Sequence, residues 1–261
     1  MFTKQYGPWA VIAGGSEGVG ASFAHKLAAK GINLVLLARK PEPLAELATE
    51  VKSRSRVEVR TLSTDLTAPD MLERVRSVTD DIEVGMMIYN AGAVTKFGEF
   101  LDAPLEDALR MVRLNVVGQT VLSHHFGGRM RARGRGGIIL VGSMAGYAGA
   151  PQEICYSAGK AHSRILSEGL WYELKPHGVD VLGLTLGLTR TPAMARLGMA
   201  MDNPQFVPAE PDVVAQEALD NLANGPIWIA GGSDEGAKYL STLPRGQAIE
   251  FMAQGAKNLH G

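Results

Sequence analysis

Seven short apolar runs, at residues 9–13, 32–38, 56–62, 84–89, 138–142, 179–186 and 227–230, alternate with stretches whose apolar residues recur at helical spacing. The second run, Ile32-Asn33-Leu34-Val35-Leu36-Leu37-Ala38, has a single polar residue. A strand with one wet face alternates apolar and polar side chains. A nearly continuous apolar run belongs to a strand covered on both faces, as in a parallel sheet. Pro41, Pro69, Pro104 and Pro211 stand where intervening helices would begin, the third of them opening a long helical stretch over 104–133. Pro176 and Gly178 end the helix expected over 155–174. The order predicts an α/β protein, a doubly wound parallel sheet of about seven strands with helices on both faces. No linker-like or low-complexity segment interrupts it, so residues 1–261 are read as a single domain.

Composition narrows the function classes. Hydrophobic residues make 46% and charged residues 20%, which excludes a disordered chain. Lys plus Arg is 26 against Asp plus Glu 27, so neither nucleic acid nor an anionic membrane is an expected partner. One cysteine, Cys155, excludes an intramolecular disulfide framework and any multi-cysteine metal site, and a reducing, cytoplasmic setting is expected. No long apolar segment suggests a membrane span or a secretory leader, and no ligand spacing suggests a metal.

The first run feeds directly into Ala13-Gly14-Gly15-Ser16-Glu17-Gly18-Val19-Gly20 and then into a helix. Glycines permit a tight turn and close backbone approach, and the free N–H groups of a helix start favour a pyrophosphate. The spacing is G-x-x-x-G-x-G rather than the G-x-G-x-x-G of many dinucleotide sites. Residues 14–18 also match G-x-S-x-G, the strand–turn–helix elbow of serine hydrolases, with Ser16 as nucleophile and His177 or His260 as base. Only one strand precedes Ser16, so no earlier strand–loop unit supplies the second oxyanion N–H, and the hydrolase stays an alternative.

In open α/β sheets ligands bind beyond the carboxyl ends of the strands, which puts Ser143, after the fifth run, on the rim of a site. Tyr156-Ser157-Ala158-Gly159-Lys160 follows. On a helix Tyr156 and Lys160, at i and i+4, share a face. A phenol with a pKa near 10 is a poor base at neutral pH, and a neighbouring ammonium stabilises the phenolate and lowers that value. The other tyrosines have Ala10, Ala93, Pro151, Pro176 and Leu243 four residues on.

Together these motifs resemble the classical short-chain dehydrogenase/reductase family over about residues 8–230. The family's T-G-x-x-x-G-x-G turn is similar to residues 13–20, with Ala13 in place of Thr, and its N-A-G motif to Asn90-Ala91-Gly92. Its helical Asn is similar to Asn115 in Leu114-Asn115-Val116-Val117-Gly118, its catalytic Ser to Ser143, and its Y-x-x-x-K to Tyr156 and Lys160. One departure is Leu186-Gly187, where the family has P-G. The resemblance implies a Rossmann-type fold and an oxidoreductase that interconverts a ketone and a secondary alcohol. Ser143 would hydrogen-bond the substrate oxygen, and Tyr156 would donate or remove its proton. Lys160 would hold the nicotinamide ribose and depress the pKa of Tyr156, and Asn115 would hold a water linking Lys160 to solvent. The cofactor supplies the hydride; the protein supplies geometry and electrostatics. Gly14, Ser16, Gly18, Val19, Gly20, Leu66, Asn90, Ala91, Gly92, Gly187 and Thr189 become expected cofactor contacts. Asp65 matches the family position that contacts adenine, and an Asp that caps the next turn is the competing reading.

The second run ends Leu37-Ala38-Arg39-Lys40. An NAD site wants an acidic residue here for the ribose 2′-OH. Ala38 stands there instead, and the planar fork of Arg39, with Lys40 beside it, suits a 2′-phosphate. Ser16 could also donate to it. NADP(H) is therefore expected over NAD(H), although Glu17 sets a carboxylate nearby.

Residues 188–210 correspond to a mobile substrate lid in the family and carry Met194, Met199, Met201 and Phe206, whose flexible side chains suit an apolar pocket. Between Ser143 and Tyr156 lie Met144 and Ala150 among small or apolar neighbours. The expected substrate is a hydrophobic ketone or secondary alcohol, steroid-like or of medium chain length, held by Ser143, Met144, Ala150, Tyr156 and Met194. By resemblance, a homodimer or homotetramer would form through the helices over 104–133 and 154–174. A catalytically idle dinucleotide-binding sensor or scaffold is the alternative from another class. Loss of Tyr156 or Lys160 would favour it, and both are present.

Overall fold

The computed structural model describes residues 1–92, 94, 97–199 and 207–260, with backbone alone for 258–260. Met201 and Phe206, expected in the lid, and the side chain of His260 lie outside the described residues. The strands are β1 (Trp9–Ala13), β2 (Asn33–Ala38), β3 (Val59–Ser63), β4 (Val84–Tyr89), β5 (Gly136–Ser143), β6 (Val179–Leu186) and β7 (Ile227–Ala230). They form one 7-stranded sheet in the order β3-β2-β1-β4-β5-β6-β7, parallel at every pairing. The doubly wound sheet expected from the alternating runs is the one observed.

Side chains alternate between the two faces of each strand. Ala10 and Ile12 of β1 point to one face and join Phe23 and Leu27 of α2 (Gly18–Ala29), Leu44 of α3 (Pro41–Arg54) and Val214 of α9 (Pro211–Asn221). Trp9, Val11 and Ala13 point to the other and join Val75 of α4 (Met71–Arg76), Phe126 of α6 (Gly118–Arg133) and Leu174 of α7 (Ile154–Leu174). Leu122, Phe126 and Met130 repeat every four residues along α6 and are fully buried. Truncating Phe126 to Ala would cost ~3–5 kcal/mol.

Three elements differ from expectation. A short helix α1 (Phe2–Tyr6) precedes β1, where the sequence has no apolar periodicity; tertiary bonds hold it, with the Tyr6 hydroxyl donating to Asp180 Oδ2 at 2.7 Å. β3 begins at Val59 rather than at 56, because the Glu58 N–H bonds the Asn33 side chain at 2.9 Å instead of the neighbouring strand. The helix expected over 104–133 is α5 (Leu105–Val112) and α6 joined by a π turn, Arg113–Val117. The Tyr89 hydroxyl donates to Leu114 O at 2.6 Å, and the Gly118 N–H bonds Arg113 O, one residue further back than in an α-helix. That displacement leaves Asn115 buried beneath α7.

Candidate active site

β1 leads back toward β2 while β4 leads away toward β5, so their carboxyl ends diverge. Such a switch point is where open α/β sheets bind ligands. A cavity of about 1100 Å³ opens there, walled by the loops after β1, β2, β4, β5 and β6.

One end is backbone. The Gly14 and Gly15 N–H groups donate to Leu37 O at 2.8 and 3.1 Å, and Asn90 Nδ2 donates to Gly14 O at 2.8 Å. Gly14 has φ +81°, and a Cβ on it would lie 2.7 Å from Ala91 N. No side chain caps the first turn of α2, and Gly18 and Val19 of that turn line the cavity. A bare backbone cradle beside uncapped N–H groups fits the pyrophosphate of a dinucleotide. Ser16, Arg39, Lys40, Leu66, Ala91 and Gly92 share this wall, and Gly20 stands behind it, against Gly14 O. Glu17, the carboxylate that counted against a 2′-phosphate, is paired: Arg196 Nη1 donates to its Oε2 at 2.9 Å, and Nη2 to its Oε1. Those hydrogen bonds hold the Glu17 carboxyl below its ordinary range.

Asp65 does not line the cavity, although its neighbours Thr64 and Leu66 do. It accepts from Thr67 N at 2.9 Å, Thr67 Oγ1 at 2.8 Å and Arg110 Nη2 at 2.7 Å. Against the upward push of partial burial, these bonds hold its carboxyl at about 2. The side chain is engaged as the turn-capping reading expects.

At the centre, Ser143 ends β5 and Tyr156 and Lys160 stand on α7, all three on the cavity wall. Burial pushes the Tyr156 phenol up to about 12, while a hydrogen bond with Ser143 opposes the shift and the Glu153 charge adds to it. Lys160 is 3% exposed, and burial pushes its ammonium down to about 8. Its Nζ donates to Val141 O at 2.8 Å and lies 5.5 Å from the centroid of the Tyr156 ring. In the protein alone, burial is the largest influence on Tyr156 and acts in the direction opposite to the depression expected from Lys160. Asn115, behind the wall, donates from Nδ2 to Met111 O at 3.1 Å, while its buried Oδ1 has no partner among the described residues. Gly92 adopts φ +128°, and a Cβ there would lie 2.2 Å from Asn115 Oδ1 and 3.3 Å from Lys160 Nζ.

The far end is apolar. Met194 of α8 (Pro192–Arg196), Met199 and Met144 line it, with Gly187 and Thr189 leading in from β6. Ala150 is buried off this wall, its N–H donating to Ser157 Oγ at 3.3 Å. Sequence reasoning missed Leu240 of α10 (Asp234–Thr242), Phe251 and Met252 of α11 (Arg245–His260), and Glu153 before α7, all on the wall. The spacing of Ala248, Phe251, Met252 and Gly255 on one helix face was the available signal. His177 precedes β6, at the sheet end opposite Ser16, which removes it as a base for a hydrolase. Among the described residues no group of His, Cys, Asp or Glu could hold a metal, and no helix is long and apolar enough to cross a membrane.

Residues 8–202 match the profile of the short chain dehydrogenase family. The chain belongs to this family. It is 34% identical over 233 residues to a 7beta-hydroxysteroid dehydrogenase of Collinsella aerofaciens, covering 87% of this chain and 88% of that one. A solved structure from work on 7beta-hydroxysteroid dehydrogenase stereoselectivity superposes with a TM-score of 0.90 at 31% identity, covering 96% of this chain and 98% of that one. A short-chain dehydrogenase from Sphingobium yanoikuyae in complex with NADPH superposes with a TM-score of 0.79 at 31% identity, covering 91% and 97%. Short-chain dehydrogenases are oxidoreductases that use NAD(H) or NADP(H), and the membership read from the glycine turn and Tyr156/Lys160 is borne out.

Proposed function

We propose that this short-chain dehydrogenase is an NADP(H)-dependent oxidoreductase that reduces bulky, apolar ketones to secondary alcohols and oxidises the alcohols in reverse. The observation that carries the reading is the half-buried Tyr156 beside Ser143, with Lys160 Nζ over its ring, between a backbone cradle and an apolar chamber. When bound, the reduced dinucleotide supplies the hydride. The Ser143 hydroxyl donates to the carbonyl oxygen and polarises it. The Tyr156 hydroxyl, neutral at physiological pH, donates its proton to that oxygen as charge develops. The Lys160 ammonium, with donors to spare beyond Val141 O, holds the ribose, and Asn115 Oδ1 holds a water that returns protons from solvent. Gly14, Gly18, Val19, Asn90, Ala91, Gly92, Gly187 and Thr189 hold the dinucleotide, and Ser16, Arg39 and Lys40 its 2′-phosphate.

The described lid residues 188–199 are tied to the glycine turn by Arg196 and Glu17. The names of the relatives, a hydroxysteroid dehydrogenase and an NADPH complex, support both halves of the reading. Lys160 argues against an idle scaffold, since a buried ammonium with one hydrogen bond, to Val141 O, keeps donors for a bound ligand. Exposed Leu105, Leu109 and Val112 on α5, with Ile165 and Tyr172 on α7, support a homo-oligomer through these helices. We place the enzyme in the cytoplasm, where Cys155 stays reduced.

The test is consumption of NADPH with steroid, medium-chain and small charged ketones. Turnover of the bulky apolar ketones is expected. Turnover restricted to small charged ketones would overturn the substrate half, and a lower dissociation constant for NADH than for NADPH the cofactor half.

A further inference from the structure

Glu153 lines the chamber, and its carboxylate has no partner among the described residues. It precedes α7 at the capping position yet makes no side-chain cap bond, so it does not serve the helix start. Among the described residues no hydrogen bond, ion pair or charge engages its carboxylate; burial alone acts on it and pushes its carboxyl up to about 7. Its charge reaches the Tyr156 hydroxyl, one helical turn along. The same chamber is lined by Met144, Met194, Leu240 and Phe251. A half-buried carboxylate without a partner is a cost to the fold, and a hydrogen-bond donor brought by the ligand removes that cost.

We propose that Glu153 is a specificity-determining residue that accepts a hydrogen bond from a second hydroxyl group on the substrate, close to the carbonyl that Tyr156 protonates. The inference rests on the bulky-ketone reading above and names the polar feature that such a ketone must carry. The substrate is a hydroxy-ketone on a rigid apolar skeleton. A hydroxyl fits better than an ammonium, because the apolar wall would strip an ammonium of water. A substrate carboxylate at this point would be repelled by Glu153. A ketone lacking the hydroxyl leaves the carboxylate buried and unpaired, so discrimination comes from both the bond made and the bond missed.

The experiment compares steroid monoketones that carry one hydroxyl at successive ring positions with the parent ketone and with an amino-substituted analogue. Substrate binding is followed by calorimetry on the NADP⁺-loaded enzyme and turnover by NADPH consumption. For the best hydroxyl position the ratio of kcat/KM, hydroxy over parent, is expected at roughly ten to a hundred in the wild type, mostly in KM. Glu153→Leu should bring that ratio toward one, and Glu153→Gln, which keeps an acceptor but loses the charge, should leave an intermediate ratio. Should Glu153→Leu fail to fold, Glu153→Gln alone must lower the ratio. The inference is overturned if no hydroxyl position beats the parent ketone, if the amino analogue beats every hydroxyl, or if Glu153→Leu scales both rates equally. If the wild type binds NADPH but neither binds nor reduces any ketone of the set, the bulky-ketone reading itself fails and this inference with it.

Discussion

Arg196 and Glu17, 179 residues apart in sequence, form a two-pronged ion pair across the mouth of the cavity. The pair neutralises a carboxylate on the glycine turn, where a 2′-phosphate would otherwise meet repulsion. Both side chains are partly exposed, so the effect is modest. Arg196→Ala should raise the dissociation constant for NADPH roughly two- to five-fold, and adding Glu17→Gln should recover most of it. Fluorescence titration reads both. Equal affinity in wild type and Arg196→Ala would remove Glu17 from the cofactor account.

Arg39 stands where an acidic residue would select NAD(H). Arg39→Asp replaces a phosphate-matching fork with an acceptor for the ribose hydroxyl. The NADPH-to-NADH ratio of kcat/KM should swing by roughly a hundred-fold or more toward NADH. An unchanged ratio would make Arg39 a solvated surface charge.

Tyr156→Phe removes the proton donor and keeps the ring. Its kcat should fall by roughly 10²–10⁴, while the dissociation constant for NADPH stays within about two-fold. A variant that retains a tenth of the rate would take Tyr156 out of the proton transfer.

A half-buried carboxyl and a buried ammonium give opposite pH slopes to stability. Glu153 ionises near 7 in the fold instead of 4.5. Between those values the folded state keeps a proton that the unfolded chain has lost, so this contribution falls as pH rises. Lys160 ionises near 8 instead of 10.5. Between those values the unfolded chain keeps a proton that the folded state has lost, so this contribution grows as pH rises. In thermal melts against pH, Glu153→Gln should gain on the wild type from pH 4.5 to 7, and Lys160→Met should lose on it from pH 8 to 10.5. Melting curves that stay parallel to the wild type would contradict both assignments.

Gly92→Ala should cost several degrees of Tm, because the residue holds φ +128° and its Cβ would strike Asn115 Oδ1. A cost of about 2 kcal/mol corresponds to roughly 4–8 °C in a domain of this size. A variant that melts with the wild type would mean that Asn115 moves freely.

The strands were legible because a parallel strand buried on both faces writes an apolar run, as residues 34–37 do. Ser143, Tyr156 and Lys160 were legible because one strand end and one helical turn fix their relation. The π turn was not, since it depends on the Tyr89 hydroxyl reaching Leu114 O from 25 residues away. Asp65 was ambiguous because the same carboxylate that could reach a base also closes a turn on Thr67 and Arg110. The chamber walls from α10 and α11 went unseen because their apolar residues face a cavity rather than either core.

α11 is anchored by Arg245, whose guanidinium donates to Tyr147 O at 3.0 Å, and by Ala248 in a small cluster with Ala148 and Leu240. Neither cluster flanking the sheet includes a residue from α10 or α11. Substitutions at Phe251 and Met252 therefore touch neither cluster that flanks the sheet. If the proposed chemistry holds, a change of substrate range would be recorded in α10 and α11, mechanically separate from the sheet.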